Sequence, residues 1–120
     1  MATRPITITR VGDNTMVFNW DTLTTTNADG TPIPENYADY TDRNVDVDGT
    51  FGAGGNLRVA GTNRAAYKAL NDSFGNALNI AAAAVKSIAE VPLLTRPEVT
   101  AGDGDTDLDV TIVCHRSRYR

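Results

Sequence analysis

The chain reads as an all-β protein, an antiparallel β-sandwich or jelly-roll-like single domain, and three observations predict it. Two runs with a period of two, Asn44-Val45-Asp46-Val47-Asp48-Gly49-Thr50-Phe51 and Asn56-Leu57-Arg58-Val59-Ala60-Gly61-Thr62-Asn63, flank the glycine hinge Gly52-Ala53-Gly54-Gly55. In the first run Val45, Val47, Gly49 and Phe51 share one parity and Asn44, Asp46, Asp48 and Thr50 the other, the pattern of a half-buried strand. A second alternation closes the chain, where Leu108, Val110, Ile112 and Cys114 interleave with Asp107, Asp109, Thr111 and Val113. Turn signals also recur about every ten residues, the spacing of sandwiches and jelly rolls. These patterns specify a fold class and contain no chemistry.

At 120 residues the sequence is one domain, 1–120, long enough to bury a core without staples. Ile6 and Ile8 alternate with Thr7 and Thr9 as a first short strand, and Gly12-Asp13-Asn14 is a turn signal. Met16, Phe18 and Trp20 alternate with Val17, Asn19 and Asp21 as a second strand, with Trp20 a core anchor. The segment at about 24–43 is polar, holds Pro32 and Pro34 and has no sustained period, so it is expected to be a long loop. Its apolar residues Ile33, Tyr37 and Tyr40 suit docking on a partner; the other reading is a mobile loop.

Further along, Tyr67-Lys68-Ala69-Leu70 predicts a strand and Asn71-Asp72-Ser73-Phe74-Gly75-Asn76 a turn. Between Ala81 and Val91 the alanines and the spacing of Val85, Ile88 and Val91 favour a helix. Pro92 and the surrounding β pattern favour a short turn running into a strand, and the strand is the expectation. Glu98-Val99-Thr100-Ala101 and the final alternating run are joined by Gly102-Asp103-Gly104-Asp105, which predicts a hairpin.

Charge and cysteine usage narrow the function classes. The net charge is −4, yet three of the eleven basic residues fall in Arg116-Ser117-Arg118-Tyr119-Arg120. Without that stretch eight basic side chains face fifteen acidic ones, a body of net −7. An acidic body argues against nucleic acid as the partner, since phosphate contacts need a basic face. The basic C-terminal tail, 115–120, suits an acidic protein surface. A single cysteine, Cys114, gives no internal disulfide framework. The amino-terminal Met1-Ala2-Thr3-Arg4-Pro5 lacks the apolar stretch of a signal peptide, and no apolar run approaches the roughly 20 residues of a membrane span. Folding in a reducing cytoplasm is the expectation.

Each candidate for chemistry has a plainer reading. Asp103, Asp105, Asp107 and Asp109 look like a calcium loop, but the sixth and twelfth positions counted from Asp103 are Leu108 and Cys114 instead of glycine and glutamate. Cys114 and His115 are adjacent, and adjacent side chains of a strand point to opposite faces. The lone histidine leaves no multi-histidine metal site or ordinary triad. Gly52-Ala53-Gly54-Gly55 leads into a strand and lacks the Gly-Lys-Ser/Thr ending of a phosphate loop. Asn71-Asp72-Ser73 matches a glycosylation acceptor by chance. The expectation is no enzyme, no cofactor and no metal.

The string Gly49-Thr50-Phe51-Gly52 with Asn56-Leu57-Arg58-Val59-Ala60-Gly61-Thr62-Asn63 resembles small virion proteins of tailed bacteriophages. So do Gly75-Asn76-Ala77-Leu78, Glu90-Val91-Pro92, Arg96-Pro97-Glu98-Val99-Thr100-Ala101-Gly102-Asp103-Gly104 and the closing run from Leu108 to Arg116. The likeness covers about residues 44–116 and points to capsid decoration, or cement, proteins. It implies a non-enzymatic protein, a homotrimer, that binds the major capsid protein on the virion exterior after assembly in the bacterial host cytoplasm. Under that reading Tyr37, Tyr40, Arg116, Arg118, Tyr119 and Arg120 are the contact residues, with no nucleic acid and no membrane among the partners. Gly61-Thr62-Asn63 also resembles a string of discoidin-like carbohydrate-binding sandwiches, with Tyr67 in the aromatic position. That gives the alternative of a glycan-binding module, and a head–tail or tail accessory protein is a third reading.

Overall fold

A computed structural model describes residues 3–116, which form two β-sheets packed against each other, the all-β sandwich expected. Sheet one contains β1 (Thr3–Arg4), β4 (Asp29–Gly30), β10 (Leu94–Ala101), β6 (Asn56–Thr62) and β7 (Lys68–Ala69) in that order, with β8 (Asn79–Ile80) also on β6. Sheet two runs β2 (Thr7–Arg10), β3 (Thr15–Leu23), β11 (Asp107–His115), β5 (Asp42–Thr50) and β9 (Ala84–Ile88). The pairs are antiparallel apart from β1 with β4, which is parallel.

The alternation seen in the sequence becomes the inner faces. Phe18, Trp20, Val45, Val47, Leu108, Val110, Ile112 and Cys114 of sheet two meet Leu57 and Val59 of sheet one, all fully buried. Trp20 Nε1 donates to the Thr31 carbonyl at 2.8 Å, so the indole is anchored at its polar end. Gly30 lets that indole in, because a Cβ there would come within 2.6 Å of the Trp20 ring. Residues 84–88 form a strand, as expected, despite their helical spacing; the pairing of Ala84 to Ile88 with Val47 to Arg43 outweighs the alanine propensity.

One expectation is corrected. The run around Gly102-Asp103-Gly104-Asp105 is no hairpin, because β10 lies in sheet one and β11 in sheet two. The runs either side of the glycine hinge are likewise divided, with β5 in sheet two and β6 in sheet one. Both links are arches from one sheet to the other. Alternation reports which residues face the core, and both sheets face the same core, so it cannot say which sheet a strand joins. The arches are tied together: Asp103 Oδ2 accepts the Ala53 N–H at 3.0 Å, and Thr106 Oγ1 donates to the Phe51 carbonyl at 2.7 Å.

The segment at 24–43 is also more structured than a loop. It supplies β4, an isolated bridge between Ile33 and Thr95, and a 3-10 turn over Glu35–Tyr37. Ile33 and Tyr40 are buried, and Tyr37 packs edge-on against Phe18 with ring centroids 5.2 Å apart. Ile33 and Tyr40 are thus anchors into this chain's own core, and Tyr37 packs against that core while remaining partly exposed.

Candidate partner-binding surface

Of the six residues expected to touch a partner, Tyr37, Tyr40 and Arg116 fall among the described residues and come together; Arg118, Tyr119 and Arg120 lie outside them. The Arg116 guanidinium stands 4.8 Å from the centroid of the Tyr40 ring, and the Tyr37 and Tyr40 rings are 5.8 Å apart. Arg116 also donates through Nη2 to the Asp13 carbonyl at 3.2 Å and meets Asp39 Oδ2 through Nη1 at 3.4 Å. Its backbone N–H donates to the Asn14 carbonyl. The root of the basic tail is thereby fixed against the 12–14 turn and the 35–40 segment. Tyr40 is 3 % exposed, so its ring serves this packing and is closed to a partner; Tyr37 keeps a half-exposed edge.

Above that cluster a buried cation organises the same segment. Arg43 has the core parity of Val45 and Val47 and is 4 % exposed. Its Nε donates to the Tyr40 carbonyl at 2.8 Å, Nη2 to the Tyr37 carbonyl at 3.2 Å, and Nη1 to Thr95 Oγ1 at 3.1 Å across the sandwich. Burial lowers its pKa, opposed by the neighbouring Cys114. Burial likewise pushes the Cys114 thiol up to about 11, so it is a thiol in the core. His115 faces the other way and meets Thr15 Oγ1 through Nδ1 at 2.9 Å. The neighbours Cys114 and His115 are therefore on opposite sides of the sheet, as strand geometry requires.

The outer face of sheet one holds a charged lattice. Glu98, 5 % exposed, lies between Arg58 and Arg96, and Arg96 also reaches Asp29 at 3.6 Å. The Arg96 guanidinium covers one face of the Tyr67 ring at 3.7 Å, and burial raises that phenol's pKa. The ring considered as a sugar platform thus has one face already occupied.

Of the four aspartates near the last turn, Asp103 accepts the Ala53 N–H and then its own turn's Asp105 N–H, which hold its carboxyl below the usual range. Asp109 Oδ1 accepts the Thr22 N–H at 3.1 Å. These carboxylates fasten loops, and among the described residues no group of three or more His, Cys, Asp or Glu is placed to hold a metal ion.

No family model, curated protein or solved structure matches the chain.

Two surface features carried no motif in the sequence. One is a pocket of about 410 Å³ between the start of β7 and the 90–92 segment, lined by Gly61, Arg64, Ala66, Lys68, Leu70 and Pro92 among others. The other is Phe74, 89 % exposed at the tip of the 71–77 turn. The sequence showed that turn through its Asx and glycine residues, and an aromatic at a turn tip was the available signal.

Proposed function

We propose that this chain is a non-enzymatic decoration protein of a tailed-bacteriophage virion, which binds the outer surface of the assembled capsid as a homotrimer. The observation that carries the reading is the sequence likeness of residues 44–116. Most of its strings fall on β5, β6, β10 and β11, four of the inner strands of the two sheets, and two fall in the 75–78 and 90–92 connections. The rest of the chain suits a clamp: the basic tail springs from the braced Arg116, while the body is acidic. Each contact can be weak, because a lattice with many equivalent sites supplies avidity.

The test is to mix purified protein with empty expanded capsids of the phage that encodes this chain and image the particles. The expected result is density at fixed lattice positions, saturating at a constant copy number. A variant ending at Arg116, without Arg118, Tyr119 and Arg120, should reach lower occupancy with a shallower salt dependence. No density on capsids, together with glycan-array binding that Tyr67→Ala abolishes, would replace this reading with the carbohydrate one.

A further inference from the structure

Phe74 is the most exposed large apolar side chain among the described residues, ahead of Val85 at 65 % and Val11 at 58 %. It is also held in place. Asp72 Oδ1 accepts the N–H groups of Phe74 and Asn76 at 2.9 and 3.0 Å, and the Asp72 N–H donates to the Asn76 carbonyl at 2.8 Å. The flank is tied to β9, where Ser87 Oγ accepts the Ser73 N–H at 3.1 Å and donates to Ser73 Oγ at 2.9 Å. At the base, Asn71 gives its N–H and its side-chain N–H to the two oxygens of Glu90 at 2.7 and 2.8 Å. A braced turn has little backbone freedom left to lose on binding, so the aromatic at its tip gives up only its own side-chain rotamers.

A pocket large enough for an aromatic ring lies on the same molecule. Glu90, bonded to Asn71, is also in the wall of the 410 Å³ pocket. A cavity of about 150 Å³ is enough to take a benzene ring. The pocket offers Leu70, Pro92, Ala65 and Ala66 as apolar wall, and Leu93 beside it is 49 % exposed. Arg64 and Lys68 at its rim provide cations for a ring face, which binds within about 6 Å of the charge. The knob is flanked by the Asp72 carboxylate, so knob and hole are opposite in charge.

We propose that copies of this chain associate by placing Phe74 of one copy in the pocket between Gly61 and Pro92 of another. One knob and one hole per chain permit a two-fold pair or a closed ring. The contact gives a physical basis for the self-association proposed above, yet it rests on the knob and hole alone and stands whether or not capsids are the partner.

The test is the solution mass of the full chain by light scattering over a concentration series. Wild type should form a defined oligomer. Phe74→Asp should be monomeric, or weaker by at least about tenfold in dissociation constant, with the wild-type β circular dichroism spectrum. The double variant Arg64→Glu/Lys68→Glu should also be monomeric. Mixing these two variants should restore association, because one keeps the hole and the other keeps the knob. A wild-type monomer at every concentration, or Phe74→Asp with wild-type mass, would overturn the proposal. So would a double variant that still assembles, or a mixture that stays monomeric. Capsid occupancy is read separately, so failure here is distinguishable from failure of the virion reading.

Discussion

Thr22 has φ of 59°, a left-handed conformation that costs a β-branched residue about 1–2 kcal/mol. It sits where Asp21 and Thr22 together oppose Asp109, because Trp20 pairs with Val110 and Leu23 with Leu108. This bulge lets Trp20 and Leu23, of opposite parity, both enter the core. Thr22→Gly should therefore raise unfolding stability by about 1 kcal/mol, and Asp109→Ala should lower it by losing the bond to the Thr22 N–H, both read by urea titration. The sequence pattern displayed Trp20 as a core residue but could not show the bulge, since a single extra residue looks like the end of a strand. Arg43 was equally hidden: a charged residue at an inward position reads as an interruption. Replacing it with Leu leaves two carbonyls and a hydroxyl without their donor and should cost about 2–4 kcal/mol. Arg43→Lys should recover only part, because an ammonium cannot fork toward all three acceptors.

Between elements, the two arches share one carboxylate. Gly52, at φ of 70°, passes so close to Asp103 and Thr106 that a Cβ would strike both side chains. Gly52→Ala should lose about 1–3 kcal/mol from strain and from a displaced lock. The pH dependence has a definite sign. Asp103 titrates below its ordinary 3.8 in the folded chain, first because of the Ala53 N–H and then the Asp105 N–H. A carboxyl with a depressed folded pKa stabilises the fold above its unfolded value, and that contribution disappears as pH falls through the folded one. Asp72 behaves alike, held down chiefly by the Asn76 N–H. Melting temperature should fall as the pH is lowered through and below the ordinary carboxylate value of 3.8, and Asp103→Asn should flatten that fall while being less stable at neutral pH. The long strands β3, β5, β6 and β11 were legible from the period of two, whereas two-residue strands such as β1 and β4 carry no period; sheet membership was not legible, because partners such as β3 and β11 are far apart in sequence.

At the scale of the molecule, the described surface divides its tasks: sheet one carries a salt-bridged outer face, and the 61–93 region carries the knob and the hole. The tail root at Arg116 was legible as charge, whereas its bracing on Asn14 and Asp39 required the fold. Iodoacetamide at about pH 8 should leave Cys114 unmodified in the native protein and react once urea unfolds it, as a buried thiol raised to about 11 demands.

The order in which strands join the sheets has a consequence for how the chain is made. The middle of sheet two is β11, residues 107–115, which lies between β3 and β5. During synthesis β2 with β3 and β5 with β9 emerge as separate pairs, and no earlier strand joins them. The sheet therefore closes only after its keystone leaves the ribosome, and folding of sheet two must wait for its last strand rather than proceed behind synthesis.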